Sequence, residues 1–371
     1  MSSPHPAMRS SAFADPTLCR PLIEKLTREL DAPLRFMEVC GTHTVAIFRS
    51  GLRSLLPEGI THLSGPGCPV CVTHESEVAA FIDLAGRNNT IVATFGDLMR
   101  VPAGNGMNLK KASAQGARVE IVYSPLDALR LAHENPHDEV VFLGVGFETT
   151  APTVAATMQM AKQQQLKNFS VLAFHKLVPP ALRLLLDEGA EGEGIDAFLL
   201  PGHVSTILGT SPYDFIPADY GKTGVIGGFD PADILASLLT MVELRKAGTP
   251  MIVNEYKRAV ADEGNAKARG ILFDVFEVAH ARWRGLGELP KSGLVIASAY
   301  EAFDARKKLA ISLPEVKPIA GCQCGEVLKG KIMPNQCKLF GTKCTPANPI
   351  GPCMVSTEGS CAAYFKYSSE I

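Results

Sequence analysis

Short apolar runs rich in β-branched residues recur along this chain, and each opens into a Gly-, Pro- or polar-rich loop followed by helical periodicity. Arg35–Val39 leads into CGTHT and a helical pattern over Val45–Leu56, and Thr90–Thr94 leads into FGDLMRVPAGN. Arg118–Tyr123 leads into Ser124-Pro125 and a helix from Leu126, with proline in the first turn, where its missing N–H costs nothing. Glu139–Val145 precedes GFETTAP and a helix over Thr153–Gln165, and Ser170–Phe174 precedes HKLVPP and a helix over Ala181–Glu188. Ala197–Leu200 opens into PGHVST. Gly224–Ile226 opens into GGFDPAD, where Asp230 is the expected N-cap and Pro231 the first helical residue.

Strands alternating with helices predict α/β architecture with largely parallel sheets, whose ligand crevices lie at the loops leaving the strands' carboxyl ends. Nearly every unusual polar motif of the chain falls in such a loop. From about Asp230 to Ala281 the pattern turns mostly helical, Leu294–Ser298 is one further strand candidate, and after Leu313 periodicity fades into a Gly/Pro/Cys-rich tail. A chain of 371 residues implies two or three domains. The expected division is two small parallel-sheet α/β domains, 45–135 and 136–235, plus a mostly helical third domain from 1–44 and 236–371 that carries a cluster of metal-binding cysteines.

Composition narrows the partners. The chain is 46% hydrophobic and 20% charged with a net charge of −2, which gives no electrostatic reason to expect nucleic acid or an anionic membrane. Its longest apolar runs, such as Val171–Phe174 and Ile195–Leu200, are strand-sized. Met1–Phe13 has neither an apolar stretch nor a twin arginine, so no export signal is read there and the expected compartment is the cytoplasm. A reducing compartment turns attention from structural disulfides to metal ligation and redox-active thiols.

Six of the ten cysteines fall in the tail with the spacing C-x-C-x12-C-x6-C-x8-C-x7-C, namely Cys322, Cys324, Cys337, Cys344, Cys353 and Cys361. Thiolates are soft ligands, and four on a Gly/Pro-rich scaffold can wrap a tetrahedral metal or a cubane cluster. Without apolar periodicity of its own, the tail would draw folding energy from the metal. Zinc is the rival, yet structural zinc sites use paired C-x2–4-C knuckles and only C-x-C is present. Six cysteines also exceed one four-ligand site by two, so a cluster beside a redox-active disulfide would use them all. Spacing alone also permits Cys353 as a ligand.

Cys40 lies in EVCGTHT at a strand end just before a helix, where the helix N-terminal field favours a thiolate; His43, Thr42 and Thr44 stand close by. Cys68 and Cys71 form C-P-V-C in a Gly/Pro loop that opens a helix, the pattern of a redox dithiol. Half of a zinc site is the bland reading, but no second C-x-x-C completes one. Cys19, in a helical stretch, reads as a packing residue. GFETTAP could form an anion nest, except that Glu148 opposes phosphate there. GKT at Gly221–Thr223 fails as a P-loop because Ile216 occupies the required glycine position. Asp97, Arg100 and His203 sit in strand-end loops, and Asn168-Phe169-Ser170 matches a glycosylation acceptor without the export that would use it.

Taken together, MEVCGTHT, GPGCPVCVT, FGDLMRVPAG, GFETTAPT, PGHVSTILG and the tail CQCGEVLKG…CKLFGTKCTPANPIGPCMVSTEGSC resemble the hydrogenase maturation factor HypD family, over about Met37 to Tyr367. The resemblance implies a function that periodicity could not. Such proteins act with the small chaperone HypC as the scaffold on which the Fe(CN)2CO unit of [NiFe]-hydrogenase is built; cyanide comes from the carrier HypE, and the finished unit passes to the hydrogenase large-subunit precursor. It implies that Cys40 binds the iron with a HypC thiolate, that His43 stands close by, and that Cys68 and Cys71 are the redox dithiol beside the assembly site. It further implies a tail holding a [4Fe-4S] cluster and a disulfide, similar to ferredoxin–thioredoxin reductase. By that likeness Cys324 pairs with Cys353, and Cys322, Cys337, Cys344 and Cys361 are the cluster ligands. Electrons would run from the cluster through Cys324/Cys353 toward Cys68/Cys71. The expectation is a redox-active assembly scaffold and not a turnover enzyme, with ATP hydrolysis left open. The competing readings are a free-standing thiol oxidoreductase of the ferredoxin–thioredoxin reductase type and a zinc-stabilised binding module.

Overall fold

A computed structural model describes residues 15–188 and 194–367; the N-terminal stretch Met1–Phe13, read above for targeting, lies outside the described residues. The strands in chain order are β1 (Leu34–Glu38), β2 (Ile60–Ser64), β3 (Thr90–Thr94), β4 (Arg118–Ile121), β5 (Glu139–Gly144) and β6 (Phe169–Ala173). They continue with β7 (Ala197–Pro201), β8 (Thr223–Gly227), β9 (Ile252–Asn254), β10 (Phe276–Trp283) and β11 (Gly287–Ile296). Two parallel sheets result, one of order β2-β1-β7-β8-β9 and one of order β4-β3-β5-β6, while β10 and β11 form a separate antiparallel hairpin. The α/β reading with parallel sheets therefore holds. β3, β7 and β8 are buried along their whole length, which is why they read as continuous apolar runs without alternation.

The sheets do not follow the expected chain division. β3 to β6 share one sheet across the boundary at 135/136, and the other sheet combines β1 and β2 with β7 to β9. The chain leaves the first sheet after β2, builds the second, and returns.

The segment after 236 is also not mostly helical. It contains the helices Pro231–Ala247 and Ala266–Val275, but also β9 and the hairpin, and beyond the short helix Ala305–Lys308 only brief helical turns precede the helix Ser360–Tyr367. Phe276–Trp283 misleads because Glu, Ala and Arg carry high helix propensity; Phe276 and Trp283 are nevertheless buried at its ends while Glu277, His280 and Arg282 face solvent. The strand candidate Leu294–Ser298 is the end of β11, which begins at Gly287.

Local signals hold better. Ser124 caps the helix Pro125–Glu134 in a capping box with Asp127, and Asp230 precedes Pro231 as the N-cap of its helix. The helix expected over Val45–Leu56 instead starts at Gly41, ends at Arg49, and resumes as Leu52–Leu55 after Gly51, whose φ of 71° only glycine adopts without strain. That earlier start turns the Gly-Thr-His-Thr loop into the first helical turn.

One apolar cluster packs the outer face of the first sheet under the helices Pro16–Glu29 and Pro231–Ala247, and Cys19 belongs to it. A second lies between the four-stranded sheet, the helix Ala151–Gln163 and the hairpin. The largest joins both sheets to the tail and contains Cys68, Cys71, Cys324, Cys344, Cys353 and Cys361. The sulfurs are thus part of the core itself. No described helix is long and apolar enough to cross a membrane.

Candidate functional site

β1 ends at Glu38, and two residues later Cys40 is the N-cap of the helix Gly41–Arg49. As N-cap it lies beside the backbone N–H groups of Thr42 and His43, whose partial positive charge lowers the cost of a thiolate, although its side chain makes no capping hydrogen bond. A wholly buried carboxylate stands behind it. Glu38 Oε2 accepts the Cys40 backbone N–H at 3.0 Å and Oε1 accepts the Thr44 hydroxyl at 2.6 Å. From the tail, Glu358 Oε1 accepts the Thr42 hydroxyl at 2.8 Å.

His43 is buried, with Nε2 2.9 Å from the Gly228 carbonyl and its ring 4.6 Å from Phe229, whose ring lies 4.1 Å from that of His203. Burial pushes His43 down to about 4, so the ring is neutral at pH 7; Nε2–H then donates to Gly228 and leaves the Nδ1 lone pair without a partner.

The expected thiolate-favouring environment at Cys40 is not what results. Burial first, then the negative charge of Glu358, push its thiol up to about 12, and the two helix N–H groups only partly oppose them. Field direction was legible in the sequence; desolvation and a carboxylate 318 positions downstream were not. A cation placed at this sulfur would reverse the balance, because both carboxylates would then favour the charged pair.

The dithiol loop packs directly against Cys40. Gly41 N–H donates to the Gly67 carbonyl at 3.0 Å, and a Cβ on Gly67 would overlap the Cys40 backbone nitrogen. Cys68 N-caps the short helix Pro69–Val72 and its sulfur accepts the Cys71 N–H at 3.4 Å, the helix-start placement expected of a dithiol. Cys71 is fully buried and within hydrogen-bonding reach of Cys68 and Cys353; burial pushes its thiol well up.

Cys353 in turn reaches Cys324 and Cys361, and Cys361 reaches Cys324. Cys322 and Cys324 have their sulfurs 3.3 Å apart. Gly351 and Gly359 make room, since a Cβ on either would strike Cys322 and Cys324 or the Cys353 backbone. Cys344, whose sulfur accepts the Ile350 N–H at 3.4 Å, has its thiol raised chiefly by burial. Cys337 follows the turn Pro334–Gln336 and is half-buried, with no contact to another thiol among those described. All ten cysteines are unpaired, including the adjacent Cys324 and Cys353. Among the described residues no three His, Cys, Asp or Glu side chains converge on one metal-ion position; instead Cys68, Cys71, Cys353, Cys324, Cys361 and Cys322 follow one another within reach.

The remaining motifs have structural roles. Arg100 donates to the Pro346 carbonyl and ties its loop to the tail, whereas Asp97 is exposed. Glu148 is buried and accepts the Val178 N–H at 2.9 Å, so GFETTAP holds a carboxyl where an anion nest was weighed. Gly221 of GKT is the left-handed C-cap of the helix Phe215–Tyr220. Asn168 donates to the carbonyls of Ala132, Asn135 and Asp138. Sequence reasoning passed over Glu38, Phe229 and Glu358. The one available signal for Glu358 was an acidic residue in the otherwise small and polar STEGS stretch before Cys361.

The chain matches the family model described as "HypD: Hydrogenase formation hypA family" over residues 17–368. It is 45% identical to the hydrogenase maturation factor HypD of Rhodobacter capsulatus over 370 residues, which covers 96% of this chain and 97% of that protein. The HypD of Escherichia coli is 45% identical, covering 93% of this chain and 92% of its own, and that of Cupriavidus necator is 44% identical, covering 90% and 89%.

Proposed function

The chain belongs to the HypD family of hydrogenase maturation factors, and from that premise we propose that it is the scaffold on which the Fe(CN)2CO unit of [NiFe]-hydrogenase is assembled. In this reading it works in the cytoplasm with a HypC-like chaperone, receives cyanide from a HypE-like carrier, and serves the large-subunit precursor through its partner. The observation that carries the proposal is the continuity from Cys40, through Gly67, to Cys68, Cys71 and the tail thiols.

Cys40 is the proposed iron ligand on this chain, the iron being cargo. The Thr42 and His43 N–H groups lie beside its sulfur, and the Glu38 and Glu358 carboxylates would balance the positive charge that arrives. His43, neutral and anchored by Gly228, offers its Nδ1 lone pair as an acceptor for a proton released there.

A [4Fe-4S] cluster is the proposed resident cofactor. The donor chemistry fits: Cys324, Cys344, Cys353 and Cys361 lie in the core with Cys322 packed against it and Cys337 half-buried nearby in the chain, and deprotonation by a bound metal would relieve the cost of holding such soft thiols there. Cys322, Cys337, Cys344 and Cys361 would hold it, and when bound it supplies single electrons. The thiols do the two-electron chemistry. The Cys353 thiolate attacks the Cys71 sulfur of a Cys68–Cys71 disulfide and releases the Cys68 thiolate. Cys324 then attacks Cys353 and frees Cys71, leaving one dithiol and one disulfide with electrons balanced. The Cys71–Cys353 contact is what such an exchange requires.

The same contact favours a second reading, a thiol oxidoreductase resembling ferredoxin–thioredoxin reductase. Complementation separates the two. A host lacking its own HypD should regain hydrogenase activity with this chain and not with Cys40→Ala. Recovery by Cys40→Ala, with loss only in Cys71→Ala, would favour the oxidoreductase.

A further inference from the structure

At the carboxyl end of β6, away from the cysteines, a cavity of about 450 Å3 opens between the loop His175-Lys176, the hairpin β10–β11 and the short helix Ala305–Lys308. That size suits a small ligand, and strand carboxyl ends are where α/β sheets bind them.

His175 lines the cavity with only 1% of its surface exposed, its ring edge-on to Phe276 at 5.4 Å, and neither ring nitrogen has a hydrogen-bond partner. A buried histidine with both nitrogens unsatisfied is costly; neither nitrogen is open to solvent, so a small turn of the ring toward the cavity is what would give them a ligand partner. Burial and the neighbouring Lys176 charge push it down to about 3, so the ring is neutral and presents one donor and one acceptor.

Charge around the cavity leans positive. Lys176 is spent on Glu77 at 2.5 Å, both wholly buried. Arg282 meets Glu288 only at 3.9 Å, and the Arg306 guanidinium has no carboxylate partner among the described residues. His280 completes the polar lining.

We propose that this cavity is a binding site for a small phosphoryl-bearing anion, held by the guanidinium groups of Arg306 and Arg282 and by the ring of His175. Donors from three separate elements suit a tetrahedral oxyanion with several oxygens better than a planar carboxylate with two. The site is independent of the cysteine chemistry above.

Isothermal titration of the full chain with inorganic phosphate, phenyl phosphate and acetate tests it. Phosphate or phenyl phosphate should bind saturably at one site, and the tighter of the two tells whether the natural ligand is free or esterified. Arg306→Ala, at an exposed position, should weaken binding by about tenfold or more. Glu288→Gln, which releases Arg282, should tighten it, an effect that a purely structural role would not give. Absence of saturable binding by both phosphates, an unchanged affinity in Arg306→Ala, or acetate binding as tightly as phosphate would each overturn the proposal.

Discussion

The surroundings of Cys40 and those of the tail thiols lie one loop apart yet are built on opposite principles. Around Cys40 most neighbours are placed by regular structure: β1 delivers Glu38, a helix start delivers Thr42, His43 and Thr44, and β8 leads into Gly228 and Phe229, while Gly67 and Glu358 come from loops. The thiol nest has almost no regular structure, no carboxylate hydrogen-bonded to a sulfur, and sulfur atoms for neighbours. The first arrangement presets oxygen and nitrogen groups around one sulfur, which suits receiving a charged metal fragment. The second stacks interchangeable sulfurs, which suits passing electrons. Gly67 and Glu358 are where the two meet, one at the backbone of Cys40 and the other hydrogen-bonded to Thr42.

The largest expected effect separates the two regions outright. Cys71→Ala should keep the iron and acid-labile sulfide proposed for the tail while abolishing cyanide-ligated iron on the chain; loss of that iron in the variant would make Cys71 a ligand instead. Gly67→Val should damage both regions at once, because its side chain has no room beside the Cys40 backbone. Urea unfolding should show a loss of about 1–3 kcal/mol, the usual cost of overpacking; an unchanged midpoint would mean the loops are less tightly interlocked than described.

Glu358→Gln is a smaller change that touches only the Cys40 side. Removing a negative charge beside the thiol lowers its pKa, so alkylation of Cys40 should speed up roughly two- to tenfold at a fixed alkaline pH, with the tail thiols unaffected. No change would remove Glu358 from the electrostatics of Cys40. The smallest effect belongs to Glu148, which burial raises to about 7 from an ordinary value of 4.5. A folded-state value above the unfolded one means that its stabilising contribution is complete below the unfolded value and is lost as pH rises through the folded one. Stability of the wild type should therefore decline between about pH 5 and 8 more than that of Glu148→Gln. Parallel curves would contradict the assignment.

What could be read from sequence tracks the same division. The apolar runs behind β3, β5, β6, β7 and β8 are unbroken and were visible, as were the caps at Ser124 and Asp230. β2, reading Ile-Thr-His-Leu-Ser on a sheet edge, was not, because only its second half is buried. The hairpin was hidden by helix-favouring residues on its wet face. The cysteines stood out by type and spacing, so Cys40, Cys68, Cys71, Cys324, Cys353 and Cys361 were legible as candidates. Spacing did not give their order of contact, which depends on tail loops whose path no periodicity records; the adjacency of Cys324, Cys353 and the Cys68/Cys71 pair came from the family resemblance. Cys337 shows the limit: its spacing is as suggestive as that of the others, yet no described contact joins it to them. Glu38 and Glu358 escaped because neither a buried carboxylate nor one brought in from a distant loop has a local sequence signature.

The central claim is that Cys40 receives the cyanide-bearing iron. Infrared spectroscopy of the chain purified anaerobically with its HypC-like partner tests it most directly. Bands from bound cyanide and carbon monoxide are expected in the wild-type complex and should vanish in Cys40→Ala while the partner still co-purifies. Bands that persist in Cys40→Ala, or that are missing from the wild-type complex, would contradict the account.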